Sequence, residues 1–191
     1  MELLLCNKEE ITRIYETHLV NDFPKAEVKP LKRILLLADV GMYFAYGLYD
    51  NGELISYAFF SCSKDTDYVL LDYFATVSGN RGKGIGTKML ELLKSEICKT
   101  KSGIILETED PQFAHDEEDL DIRTRRVNFY TKCGLEHTKI RTTLFGVNYK
   151  ILVCSKKALS TLSVTHAVST LYHTLIAEKH LKDNVSIIIS D

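Results

Sequence analysis

Thr76-Val77-Ser78-Gly79-Asn80-Arg81-Gly82-Lys83-Gly84-Ile85-Gly86-Thr87 is the stretch on which the reading of this chain turns. The residues before it, Tyr68 to Val77, read as a strand. After it, Ile85, Met89, Leu92, Leu93 and Ile97 recur at the spacing of an amphipathic helix. Gly82, Gly84 and Gly86 therefore stand where a strand hands over to a helix. Backbone N–H groups at a helix start have no helical carbonyl to bind, and with the helix dipole they form a cradle for anions. Arg81 and Lys83 add positive charge, and the Thr87 hydroxyl can donate to a phosphate oxygen, so the expected ligand carries phosphates. Spacing excludes two common phosphate motifs. There is no G-x-x-x-x-G-K-[ST], and in the G-x-G-x-x-G pattern the third position falls on Thr87 or Met89. The plainer alternative is a glycine-rich turn that only starts a helix.

On the N-terminal side, Asn7 with Glu10 three residues later reads as a capped start to a helix carrying Ile11, Ile14, Tyr15 and His18/Leu19. Pro24 interrupts, and Pro30 can open a second helix with Leu31, Ile34, Leu35 and Ala38, ended by Gly41. Met42–Tyr49 and Leu54–Ser61 flank Asp50-Asn51-Gly52, which predicts a β-hairpin. On the C-terminal side, Gly103 releases a strand over Ile104–Thr108, and an acidic stretch leads into a helix around Ile122–Lys132 that Gly134 ends. Strands are expected at Leu135–Ile140 and Leu144–Val153. Beyond Ser160 a last helix carries Val168, Leu171, Tyr172, Leu175 and Ile176, followed by the apolar run Val185–Ile189.

The 191 residues suffice for one sizeable α/β domain. With 45% apolar and 26% charged residues and a net charge of −2, the chain shows no basic stripe, which argues against nucleic acid as a partner. Met1–Glu10 lacks the basic start and long apolar stretch of a signal peptide, and no run approaches a membrane span. The five cysteines are odd in number, scattered and never in a CxxC pair, which argues against a disulfide framework and a metal site. A cytoplasmic protein with reduced thiols is expected; composition says nothing of its oligomeric state.

Arg81-x-x-Gly84-x-Gly86 after a strand resembles the R/Q-x-x-G-x-G/A element with which enzymes of the GNAT superfamily of acyl-CoA-dependent N-acetyltransferases grip the pyrophosphate of CoA. Phe129-Tyr130-Thr131-Lys132-Cys133-Gly134-Leu135 is similar to that family's later F-Y-x-K-x-G-F segment, and the two stand in the family's order. The resemblance covers roughly residues 1–155, read as the acetyltransferase domain, with 156–191 as a C-terminal helix and apolar tail packed on it. It implies an α/β (α+β) fold with a mixed, mostly antiparallel sheet flanked by helices and splayed between the strands near Thr76 and Leu106. The cofactor segment is then Thr76, Val77 and Ser78, whose main chain pairs with the pantetheine arm at Thr76 and Ser78, and Arg81, Gly82, Lys83, Gly84, Ile85, Gly86 and Thr87, which take the pyrophosphate. Acetyl-CoA is the implied co-substrate, without a metal. Three departures stand out: Ser78 replaces a frequent proline, Arg123 replaces an asparagine seven residues before the tyrosine, and Glu109–Leu120 is longer than the usual connection.

Acetyl transfer to an amine needs a neutral nucleophile, a stabilised oxyanion and a protonated leaving thiolate. Tyr130 matches the family's tyrosine, and a phenol protonated at neutral pH can give its proton to sulfur; the alternative is a buried tyrosine with a satisfied hydroxyl. The Thr76 N–H is the candidate oxyanion donor. Glu107 and Glu109, two apart on one strand, project to the same face, and either could take the ammonium proton. Glu107 ranks first because Leu106-Glu107-Thr108 resembles a strand that carries the catalytic glutamate in some members. Asp72 is a third candidate. The acidic run Asp110, Asp116, Glu117, Glu118, Asp119 and Asp121 fits either a rim that attracts a cationic amine or a helix N-terminus complementing its dipole. The expected activity is transfer of acetyl to a primary amine, of a small molecule or a protein, by direct attack. The alternative is a non-catalytic acyl-CoA-binding or regulatory module.

Overall fold

Asn7 caps the first helix as its sequence predicts. Its Oδ1 accepts the Glu10 N–H at 2.9 Å while Glu10 Oε2 accepts the Asn7 N–H at 2.7 Å, a reciprocal capping box. A computed structural model describes residues 1–156, 158 and 160–190. Among these residues the fold is mixed α/β, with eight strands, mostly antiparallel, and flanking helices. None of those helices is long and apolar enough to cross a membrane. The chain forms two compact units, one of Met1–Cys62 with Leu71–Glu96, the other of Ser63–Leu70 with the chain from Ile97 on.

In the first unit, α1 (Lys8–Ile14) runs through a π-helical turn (Tyr15–Leu19) into α2 (Val20–Asp22), burying Ile11, Ile14 and Leu19. Phe23 is extended, the conformation favoured before Pro24. Pro30 precedes α3 (Leu31–Asp39), which buries Ile34 and Leu37 and ends before Gly41, at φ +71°. The strand order is β1 (Glu2–Leu5), β2 (Tyr43–Asp50), β3 (Glu53–Cys62) and β4 (Tyr68–Thr76). β2 and β3 form the expected hairpin, and the two loop residues Asn51 (φ 49°) and Gly52 (φ 84°) take the left-handed backbone that a tight primed turn demands. Strand β1 was not expected: its four residues are too short for an alternation to show, and pairing Glu2 through Leu5 against Tyr49 through Tyr46 makes it a strand. Helix α4 (Ile85–Ile97) buries Ile85, Met89, Leu90, Leu93 and Ile97. Leu90 thus joins the expected face and Leu92 sits at its half-buried edge.

The second unit takes the start of β4 and continues through β5 (Gly103–Glu109), β7 (Val147–Ser155), β6 (Glu136–Leu144) and β8 (Val185–Ile189). Helix α5 (Glu117–Lys132) begins earlier than the apolar spacing predicts, because Asp116 caps it by accepting the Asp119 N–H at 2.8 Å. It ends as Gly134 predicts. Gly134 has φ +84°, its N–H binds the Thr131 carbonyl at 2.9 Å, and the Leu135 N–H reaches back to Tyr130 O at 3.1 Å. β6 runs four residues beyond the expected Ile140, to Leu144, and turns at Phe145 (φ 49°) and Gly146 (φ 84°). Helix α6 (Thr161–Leu175), capped by Ser160, buries Val164, Ala167, Val168, Leu171 and Tyr172 with Leu70, Ile105, Ile140, Ile151 and Val153. The short α7 (Glu178–Asn184) follows, and the apolar run after it pairs antiparallel with β6 as β8.

Candidate active site

In the first unit, Thr76 closes β4 and the Val77 N–H binds Ile55 O at 3.0 Å, so the chain leaves the sheet at a defined point. Ser78–Asn80 then form a single 3-10 turn, without the proline frequent there, held by the Asn80 N–H on Val77 O at 2.8 Å. Arg81–Gly84 turn into α4, with Gly82 and Gly84 both at φ +76°. A side chain at either glycine would meet no neighbour within 4 Å; it is the left-handed backbone that favours glycine here. The space beside these two glycines is therefore open, and the first-turn amides of α4, as in any helix, have no helical acceptor.

The two cations of this loop are engaged within it. Arg81 Nε donates to Thr76 O at 3.1 Å and its Nη2 to Asp22 Oδ1 at 2.7 Å; Lys83 Nζ donates to Gly79 O at 2.8 Å. These contacts tie the turn to the end of β4, to α2 and to the 3-10 turn. Nothing in the sequence marked Asp22 as the partner of Arg81. Asp72, further back on β4, accepts both Lys29 Nζ contacts, at 2.7 and 2.9 Å, and the Tyr43 hydroxyl.

In the second unit, Tyr130 lies on the last turn of α5, 7% exposed, with its ring edge-on to Phe129 at 5.1 Å. Burial pushes its phenol up to about 12, against a smaller lowering by Arg126. Glu109 pairs with Arg126 at 2.8 Å and Arg123 at 3.4 Å. Arg123, where an asparagine is often found in the family, is 5% exposed and also binds Asp119 Oδ1 at 2.7 Å and Asp110 O at 3.2 Å. Asp110 is 1% exposed and pairs with Arg141 at 2.8 Å. Much of the acidic run is thus committed to ion pairs and to the start of α5, where Glu117, Glu118 and Asp119 face the dipole. Glu107 accepts a hydrogen bond from the Tyr172 hydroxyl of α6. Sequence reasoning placed Tyr172 only on the apolar face of a helix, because spacing reports that the ring is buried and not what its hydroxyl touches.

The Acetyltransferase (GNAT) domain family matches residues 42–136, a span from the start of the hairpin through the glycine loop to the turn after α5. The chain belongs to the GNAT superfamily. Solved GNAT structures agree in fold. A GNAT-family protein from Bacteroides thetaiotaomicron superposes with a TM-score of 0.71 at 20% identity, over 92% of this chain and 98% of its own. The ribosomal-protein-S18-alanine N-acetyltransferase of Escherichia coli gives 0.59 at 16%, over 83% and 96%. An acetyltransferase of Bacillus subtilis in complex with CoA gives 0.57 at 14%, over 82% and 99%. No curated protein matches the sequence significantly.

Proposed function

We propose that this protein transfers acetyl from acetyl-CoA to a primary amine, with the cofactor held along Thr76–Thr87. The observation that carries the reading is the turn between β4 and α4: two left-handed glycines with open space beside them at the start of a helix, whose first amides lack helical acceptors and so suit a pyrophosphate. The GNAT relative from Bacillus subtilis was solved with CoA, which supports the same ligand here. Main-chain groups at Thr76 and Ser78 pair with the pantetheine arm; Thr76 O also accepts from Arg81 Nε, which does not exclude a second bond to that carbonyl.

The amine nitrogen attacks the acetyl carbonyl carbon, the C–N bond forms, and the C–S bond breaks as the tetrahedral adduct collapses. The Thr76 N–H stabilises the oxyanion, Glu107 accepts the proton lost by the amine, and Tyr130 gives its proton to the leaving sulfur. A phenol pushed up to about 12 by burial remains protonated at any pH where an amine is acetylated, which suits a proton donor. Glu109, tied to two arginines, suits the base role less than Glu107. The acceptor is a small-molecule or protein amine; the E. coli relative is itself named for a protein alanine.

Calorimetric titration with CoA tests the cofactor placement. Gly86→Asp puts a carboxylate into the amide cradle, and CoA binding is expected to fall at least 100-fold with the fold retained. Unchanged affinity in that variant would remove the cofactor from this loop.

A further inference from the structure

The hydroxyl that touches the proposed base comes from α6, an element outside the span matched by the family. Tyr172 is 2% exposed and its ring belongs to the core with Val168 and Leu171. Its hydroxyl donates to Glu107 Oε1 and lies 3.0 Å from Thr142 Oγ1, itself buried on β6. A buried phenol needs one hydrogen-bond partner, and Thr142 alone would supply it. The second contact, to a carboxylate, calls for a separate explanation.

We propose that Tyr172 is the positioning residue of Glu107: packed by the core and steadied by Thr142, it holds the carboxylate in one orientation and favours its ionised, proton-accepting form. The role rests on the reading of Glu107 as the base. A glutamate has several rotatable bonds, and a rigid donor on one oxygen removes much of that freedom. A carboxylate offers about four lone-pair sites, so the bond from Tyr172 does not by itself prevent it from taking a proton. Burial, and then the Glu107 charge, push the phenol well above its usual range, so Tyr172 remains a donor at working pH. The C-terminal helix thereby acquires a part in the chemistry through a single hydroxyl.

Tyr172→Phe keeps the ring and removes the donor. In protein labelled at the glutamate carboxyl carbon, with the Glu107 signal assigned by loss in Glu107→Gln, the Glu107 titration midpoint should move to higher pH in Tyr172→Phe. An unmoved midpoint overturns the proposal without any acceptor. If Tyr172→Phe does not fold, Thr142→Val, which loosens the same hydroxyl, should move the midpoint in the same direction by less, and no movement there overturns it equally. Thiol release from acetyl-CoA, with spermidine and an alanine-first peptide as probes, then tests the role in catalysis. Tyr172→Phe should lower kcat/KM about tenfold, as expected for a hydrogen bond to a charged group, with the acetyl-CoA KM unchanged. The same change in a Glu107→Gln background should have no further effect. Equal losses in both backgrounds would make Tyr172 a packing residue. A midpoint that moves while Glu107→Gln keeps the wild-type pH profile would instead sink the base reading itself, and with it the positioning role.

Discussion

Tyr130 carries two consequences that separate its chemistry from its packing. As the donor to sulfur it acts mainly in the transition state, so Tyr130→Phe should lower kcat by about 100-fold with little change in the acetyl-CoA KM. Steady-state kinetics under conditions where chemistry limits the rate check this, and a wild-type kcat would take Tyr130 out of the mechanism. Its burial also bears on stability. The folded phenol titrates near 12 and a phenol ordinarily near 10, so the stabilisation is complete below pH 10 and is lost as pH rises toward 12, where the unfolded chain ionises first. Tyr73, also pushed up to about 12 by burial, adds to the same window. Each phenol is worth about 2–3 kcal/mol across it. Urea midpoints between pH 9 and 12 should therefore fall steeply in the wild type and less steeply in Tyr130→Phe; parallel curves would mean that the hydroxyl ionises without cost. The two glutamates should divide in the same way. Glu107→Gln should depress kcat/KM most at the low-pH end, whereas Glu109→Gln should cost about 1–2 kcal/mol of stability, by leaving Arg123 and Arg126 short of a partner, with the smaller effect on rate. A greater loss of activity in Glu109→Gln would reverse the ranking of the two.

The turn into α4 depends on backbone conformation more than on space. Gly84 is left-handed with nothing for a Cβ to strike, so Gly84→Ala should cost about 1–2 kcal/mol and weaken CoA binding only as far as the loop shifts. Chemical denaturation beside a CoA titration checks both, and full stability in that variant would contradict the φ assigned here. At the other end of the first unit, Asn7→Ala removes half of the capping box and should cost about 1 kcal/mol. These local devices were legible because their chemistry is local: Asn7 with Glu10, Asn51-Gly52, and Gly134 after Lys132 each state a cap or turn in a few residues. The elements that escaped are those made by distant partners. β1 is a strand because β2 lies beside it, and β6 extends to Leu144 because β7 and β8 pair with it there. The turn at Phe145 gave no signal, since a large apolar residue is unusual at positive φ.

At the scale of the molecule, the glycine loop and the Phe129–Leu135 segment were enough to point to GNAT, since each needs particular residues at fixed spacing and together they bracket much of the family domain. The acidic run from Asp110 to Asp121 reads in sequence either as a rim for cations or as a helix N-terminus with Arg123, Arg125 and Arg126 as counter-ions, and the fold agrees with the second: Asp116 caps α5, Asp110 and Asp119 meet arginines, and Asp121 pairs with Arg125 at 3.0 Å. Charge complementarity from that run therefore says little about the acceptor, which has to be found by reaction. The most direct test incubates the wild-type protein with acetyl-CoA and a panel of polyamines, aminoglycosides and N-terminal peptides, following thiol release and acetylated product together. An acetylated amine formed in step with free CoA is the predicted result; CoA binding with no acetylated product across the panel would contradict catalysis and mark the chain as a CoA-binding module.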